Sequence, residues 1–263
     1  MKINKPNQAF QIVAHRGLSN HFPENTLVGF KAALMQHVDM LEIDVHFSKD
    51  NHLVVIHDDT INRTSNGEGK VKDYTLEELL KFDFGVKHDK SFQNTKISTF
   101  EEVLSLIKNF SKKLLIEIKV PHQYPGIEEA VLNALEIYKV PKYKAIIQSF
   151  DEDCVKRLNS MDSEYQLGLL ISRKKYWYKS PNFEEISDYA NFINPNYKLV
   201  NSRFIKNAHS QSLKVIPYTV NKPKDAKKLI NLGVDGIISD LPEDIFRLWN
   251  HLDHLWIKKP PIP

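Results

Sequence analysis

Apolar residues gather in short runs rich in β-branched and aliphatic side chains, and the runs recur along the whole chain. They are QIVAH (11–15), MLEIDVHF (40–47), LLIEIKV (114–120), AIIQS (145–149), QLGLLIS (166–172), FINPN (192–196), KVIPYTV (214–220) and GIISD (236–240). Runs of this length and composition predict strands. Most are separated by segments of helical period: in ENTLVGFKAALMQH, Leu27, Phe30, Leu34 and Met35 fall on one helix face, with Pro23 opening the segment. Gly233 stands where a helix over DAKKLINL should stop, and Pro242 where the last helix should start. Eight strands alternating with helices predict an α/β fold with a parallel sheet, closed as a TIM (β/α)8 barrel. The alternative, an open doubly wound sheet, usually carries a Gly-rich phosphate loop after its first strand, and the GLSN after Arg16 is not one.

The spacing breaks once. Between MLEIDVHF and LLIEIKV a barrel needs one helix, which FEEVLSLIKNF (100–110) supplies with Ser98 or Thr99 as its cap. Residues 48–97 are left over and contain a strand (LVVIHD), a turn (SNGEGK) and a short helix (TLEELLKF). They predict a small insertion after the second strand, at the mouth of a single domain spanning 1–263. Its outer face offers a surface for a homodimer.

Composition narrows the functional classes. A hydrophobic fraction of 41% and a charged fraction of 26% are ordinary for a globular chain. A net charge of +3 with scattered lysines gives no nucleic-acid groove. Cys154 is the only cysteine, which excludes an internal disulfide framework and a cysteine zinc site. No apolar stretch approaches the ~20 residues of a spanning helix, and MKINKPNQAF lacks the apolar core of a secretory signal. The expectation is a cytoplasmic protein without an integral membrane segment, with a frayed tail at KKPPIP.

Polar residues interrupt the apolar runs near the strand ends, where a barrel places its chemistry. The first strand ends on His15 and Arg16. Glu42 and Asp44 stand two apart and so face one side of the sheet, as do Glu117 and Lys119; His57 and Asp58 follow the run LVVI. Taken singly, each has a plain explanation: a strand carboxylate faces solvent or a neighbour, and a lone histidine is usually structural. Together they resist it, because both faces of a parallel barrel strand are covered and an uncompensated buried charge costs on the order of several kcal/mol. Three carboxylates in one place call for a divalent cation, and all-oxygen ligation suits Mg²⁺ or Ca²⁺ rather than zinc. Arg16 can grip two phosphoryl oxygens, and histidines exchange protons near neutral pH, so the inventory suits a phosphate ester.

In this order, HR (15–16), PENT (23–26), E-x-D (42–44), HD (57–58), E-x-K (117–119), QSF (148–150) and VDGIISDLPE (234–243) resemble the glycerophosphodiester phosphodiesterases over nearly the whole chain. The resemblance implies a TIM barrel that hydrolyses glycerophosphodiesters to sn-glycerol 3-phosphate and an alcohol with a divalent cation, Mg²⁺ or Ca²⁺. It implies Glu42, Asp44 and Glu117 as metal ligands, His15 and His57 as the acid/base pair, and Arg16 and Lys119 as phosphate holders. For Glu24 two readings stay open: orienting the strand-one loop, or favouring the first helical turn. The chain departs from the family pattern at Tyr218, an aromatic bordering the glycerol pocket where many members carry Trp, at Val38 in place of Gly, and at Asp50-Asn51 in place of Asp-Gly. Two alternatives compete. One is a phosphodiesterase like the phospholipase D toxins that act on lysophospholipids or sphingomyelin, disfavoured by the single cysteine. The other is a non-catalytic phosphodiester-binding barrel, which should have lost a ligand or a histidine.

Overall fold

The structure, a computed structural model, describes residues 9–257. The tail KKPPIP and most of the N-terminal stretch lie outside the described residues. The strands are β1 (Gln11–Ala14), β2 (Met40–Phe47), β3 (Leu53–Val55), β4 (Ser98–Thr99), β5 (Lys113–Ile118), β6 (Ala145–Ser149), β7 (Gln166–Ile171), β8 (Phe192–Pro195), β9 (Lys214–Val215) and β10 (Gly236–Ser239). The helices are α1 (Leu27–Leu34), α2 (Leu76–Leu79), α3 (Phe100–Ile107), α4 (Ile127–Ile137), α5 (Glu152–Met161), α6 (Arg173–Tyr176), α7 (Phe183–Ser187), α8 (Ser202–Ser210), α9 (Pro223–Leu232) and α10 (Pro242–Ile257).

Parallel pairing runs in the order β10-β1-β2-β5-β6-β7-β8-β9, the α/β arrangement of a (β/α)8 barrel. Backbone hydrogen bonds from Asp235 N to Val215 O (2.9 Å) and Ile238 N to Pro217 O (3.0 Å) link the two ends of this path. KVIPYTV is a strand only over Lys214–Val215, since Pro217 has no N–H to donate; beyond it, pairing toward β8 narrows to an Asn196–Tyr218 bridge, while Pro217 O and the Val220 N–H still bond to Ile238. The first helix also differs from expectation. Pro23 lies in the preceding turn, and α1 begins at Leu27 because the Thr26 hydroxyl accepts the Gly29 N–H (3.3 Å). Thr99, not Ser98, caps α3, in a reciprocal capping box with Glu102. Gly233 ends α9 at φ 89°.

Two apolar layers follow from strand alternation. One face of the strands packs on the helices in the larger core. Val13, Met40, Leu115, Ile146, Phe192, Ile216 and Ile238 form a separate buried cluster. Residues drawn from so many parallel strands can meet only inside the barrel. The chain between β2 and β5 forms an antiparallel spur, β3 on β2 and β4 on β3. Its own small core contains Val54, Ile56, Ile61, Val71, Leu79, Phe84 and Ile97.

Candidate active site

Along each inward face, the position two residues after the apolar layer is polar or ionisable on several strands. Met40 is followed by Glu42, Leu115 by Glu117, Ile146 by Gln148, Phe192 by Asn194 and Ile216 by Tyr218. Register completes the grouping, for Asp44 pairs across with Glu117, and Glu117 with Gln148. Glu42, Asp44 and Glu117 are all buried and bring one carboxylate oxygen each within 4.8 Å of one another. Burial pushes the Glu42 and Glu117 carboxyls up, reinforced by repulsion from Asp44. Burial also opposes ionisation of Asp44, but Lys119 and Arg16 outweigh it and hold that group below its ordinary value. Lys119 Nζ lies 2.6 Å from Glu117 Oε1 and 3.5 Å from Asp44 Oδ1, an oxygen that accepts no hydrogen bond among the described residues. An all-oxygen, charge-rich cluster with one oxygen still short of a donor fits a hard dication.

Arg16 reaches this cluster through an unusual turn. Its φ is 56° and that of Gly17 is 89°. A Cβ on Gly17 would stand 2.9 Å from the Gly29 carbonyl carbon, so only glycine fits there. The turn aims the Arg16 backbone N–H at Glu42 Oε2 (2.9 Å), while its guanidinium meets Glu24 (3.0 Å) and Asp44 (3.3 Å). Asn25, also left-handed at φ 56°, donates its side-chain amide to Asp44 Oδ2 (2.8 Å). Glu24 lies outside α1 and binds two arginines, which favours the loop-orienting reading over a dipole effect.

Each histidine is held by a carboxylate at Nδ1, His15 by Asp240 and His57 by Asp58, both at 2.6 Å. This leaves Nε2 of each ring as the second proton site. Burial opposes the charge on Asp240, but hydrogen bonds with His15, Asn221 and Ser19 bring its carboxyl down to about 2. Burial, aided by Lys119 and Arg16, pushes the His57 imidazole below its ordinary value against the pull of Asp44 and Asp58. A cavity of about 140 Å³ is lined by His15, Arg16, Glu42, His57, Glu117 and Tyr218, among others. Lys119 and Asp44 are not in this lining and connect to it through their ion pairs with Glu117 and Arg16. The Tyr218 ring meets Phe150 edge-on at 5.7 Å, and its hydroxyl donates to Ile171 O (3.1 Å).

Sequence reasoning missed four contributors. Asp240 stands in the motif SDLPE, yet only the fold brings it to His15, 225 positions away. Arg63 makes a fork onto Glu24 (2.7 and 2.8 Å) and a second contact onto Asp58 (2.7 Å), tying the spur to the strand-one loop. Gln148 accepts from Asn194 (2.7 Å) inside the barrel, which the alternation after Ile146 could have revealed. His46 continues the spacing of Glu42 and Asp44. Its Nε2 donates to the His57 carbonyl (3.1 Å), so Nδ1 accepts the hydrogen bond of the Tyr124 hydroxyl (3.0 Å).

A sequence model described as the glycerophosphoryl diester phosphodiesterase family matches residues 15–244, which span every residue named in this site. The chain belongs to the glycerophosphoryl diester phosphodiesterase family. It is 37% identical over 242 residues to a glycerophosphodiester phosphodiesterase of Caldanaerobacter subterraneus subsp. tengcongensis, covering 90% of this chain and 96% of the relative. It is 32% identical to one from Bacillus subtilis, covering 88% and 83%. Among solved structures, a phosphodiesterase from Oleispira antarctica in complex with the product sn-glycerol-3-phosphate aligns with a TM-score of 0.81 and 27% identity, over 91% of this chain and 96% of that one. Family membership therefore rests on nearly the full length of both partners.

Proposed function

We propose that this protein hydrolyses glycerophosphodiesters to sn-glycerol 3-phosphate and an alcohol, in the cytoplasm and with a bound Mg²⁺ or Ca²⁺. The observation that carries the reading is one cavity on which a buried carboxylate cluster and two carboxylate-held histidines converge. The product complex of the Oleispira antarctica relative supports the choice of substrate. Glu42, Asp44 and Glu117 would hold the cation, which supplies Lewis-acid neutralisation of phosphoryl charge when bound. Arg16 and Lys119 hold the remaining phosphate charge, with Arg16 preorganised by Glu24 and Asp44.

Of the two histidines, one takes the proton of the attacking hydroxyl and the other gives a proton to the departing alkoxide, so one P–O bond forms and one breaks. Asp240 and Asp58 fix the ring orientations and stabilise whichever imidazolium forms. The attacking hydroxyl is that of water, which gives sn-glycerol 3-phosphate directly, or the glycerol 2-hydroxyl, which expels the alcohol and leaves a cyclic phosphate. Water then opens that cyclic phosphate in a second displacement with the two histidine roles exchanged. A substrate lacking the 2-hydroxyl separates the routes, and retained turnover excludes obligatory cyclisation. Tyr218 flanks the glycerol end.

The direct test is a coupled assay for glycerol 3-phosphate. Metal-stripped protein would receive glycerophosphocholine or glycerophosphoethanolamine, with and without Mg²⁺ or Ca²⁺. Metal-dependent release supports the reading, and the ratio of the two rates reports the head-group preference. Silence with both substrates and both cations defeats it and moves the assay to lysophospholipids.

A further inference from the structure

The chain between β7 and α7 combines two features that no part of the site uses. Residues 172–181 read SRKKYWYKSP, with Arg173, Lys174, Lys175 and Lys179 and no acidic residue. All four cations are exposed. This stretch thus carries +4 in a chain whose net charge is only +3, so the rest of the molecule is close to neutral. Trp177 and Tyr178 are 72% and 67% exposed, their rings packed edge-on against each other at 5.4 Å. The Lys175 and Lys179 ammonium groups lie 5.5 and 5.3 Å from the Tyr176 ring centre, so cations and aromatic rings form one patch. A single exposed apolar side chain needs no explanation. Two adjacent large aromatics within ten of 263 residues that hold more than the chain's whole net charge do.

The patch also has a defined place. β7 ends at Ile171, so the segment leaves the sheet at the carboxyl end of the strands, where the cavity opens. Its base is tied to the cavity wall, since Ile171 O accepts the Tyr218 hydroxyl and the Asn196 N–H.

We propose that residues 172–181 dock the open end of the barrel onto an anionic lipid bilayer. Trp and Tyr rings are amphipathic enough to sit at headgroup depth, and Lys and Arg beside them meet anionic headgroups while their methylene stems lie along the interface. Charge complementarity selects an anionic surface over a neutral one. Contact through this segment is peripheral, because among the described residues no helix is long and apolar enough to cross a membrane. A bilayer held there faces the cavity mouth. The proposal is independent of the reaction assigned above, since adsorption is measured without turnover.

The test is co-sedimentation of the full chain with phosphatidylcholine vesicles, with and without phosphatidylglycerol, at low and physiological salt. Binding is expected only to the anionic vesicles and should weaken as salt rises. Neutralising Lys174 and Lys175 together (Lys174→Gln, Lys175→Gln) should lower the partition coefficient about fivefold per charge, the equivalent of about 1 kcal/mol each. Trp177→Ala with Tyr178→Ala should remove most of the remainder. Both double variants should melt like the parent and turn over soluble substrate unchanged, because these side chains are exposed and outside the cavity. Absence of anionic-vesicle binding at low salt overturns the proposal, as does binding that neither variant weakens. Loop-dependent dimerisation, or loop-dependent binding of a single-stranded oligonucleotide, in a protein that ignores vesicles also overturns it and names the alternative occupant.

Discussion

His46 occupies a position where a neutral imidazole is fully satisfied, donating to the His57 carbonyl and accepting from Tyr124. Burial drives its pKa from 6.5 to about 4. The unfolded chain therefore binds a proton between these values that the folded one refuses, so stability is present above pH 6.5 and lost as pH falls through that window. The total is about 3 kcal/mol. His46→Gln should flatten this part of the pH dependence; equal slopes for parent and variant in denaturant titrations across pH 7 to 4 would refute the assignment. At the reacting centre, His15→Ala and His57→Ala should each lower kcat by about 10²–10⁴-fold, and steady-state turnover close to the parent's would remove that residue from the scheme. Some residue-level features were legible in advance. Asn51 adopts φ 61°, a left-handed turn that asparagine tolerates, so the Asp50-Asn51 departure keeps the turn of the family's Asp-Gly. The departure at Val38 has a packing answer only the fold provides, since its side chain is buried in the larger core. Nothing in the sequence singles out His46, because a histidine within a strand gives no sign of its partner until the fold is known.

At the level of elements, period-two alternation carried most of the information. It put Glu42 with Asp44 and Glu117 with Lys119, and parallel register did the rest by pairing Asp44 with Glu117. Strands with an unbroken apolar start were legible, whereas KVIPYTV was overestimated because hydropathy does not record the N–H that Pro217 lacks. What alternation cannot express is contact between loops. Arg63 belongs to the spur yet grips Glu24, which holds Arg16, and Asp58, which holds His57, so a single guanidinium links the anchors of Arg16 and His57. Arg63→Ala should lower kcat by up to roughly 10²-fold through misplacement of His57 and Arg16. Lysine should rescue little, because it lacks the planar fork. A kcat unchanged in Arg63→Ala would show that the spur is positioned by its own small core instead.

For the molecule as a whole, the carboxylate cluster sets folding against ligand binding. Glu42 and Glu117 have raised pKa values in the folded state, so their contribution to stability is present at low pH and lost as pH rises through those raised values. In metal-free protein at alkaline pH, Glu42→Gln should therefore leave the melting temperature unchanged or higher. In the parent, a cation at about 100 times its Kd should add about 2.7 kcal/mol, a rise of roughly 5–10 °C at this chain length. The variant should lose that rise, and a parent Tm indifferent to Mg²⁺ and Ca²⁺ would argue against the cluster as a cation site. The barrel and its carboxylates were thus foreshadowed by the chain, but the partition of the catalytic set between barrel and spur was not. That partition has a consequence for how the protein fails. His57 sits at the end of an antiparallel extension whose apolar nucleus is small beside the main one, and small cooperative units open first. In rising urea, turnover should vanish before far-ultraviolet ellipticity does, leaving a population that is still a barrel but no longer an enzyme.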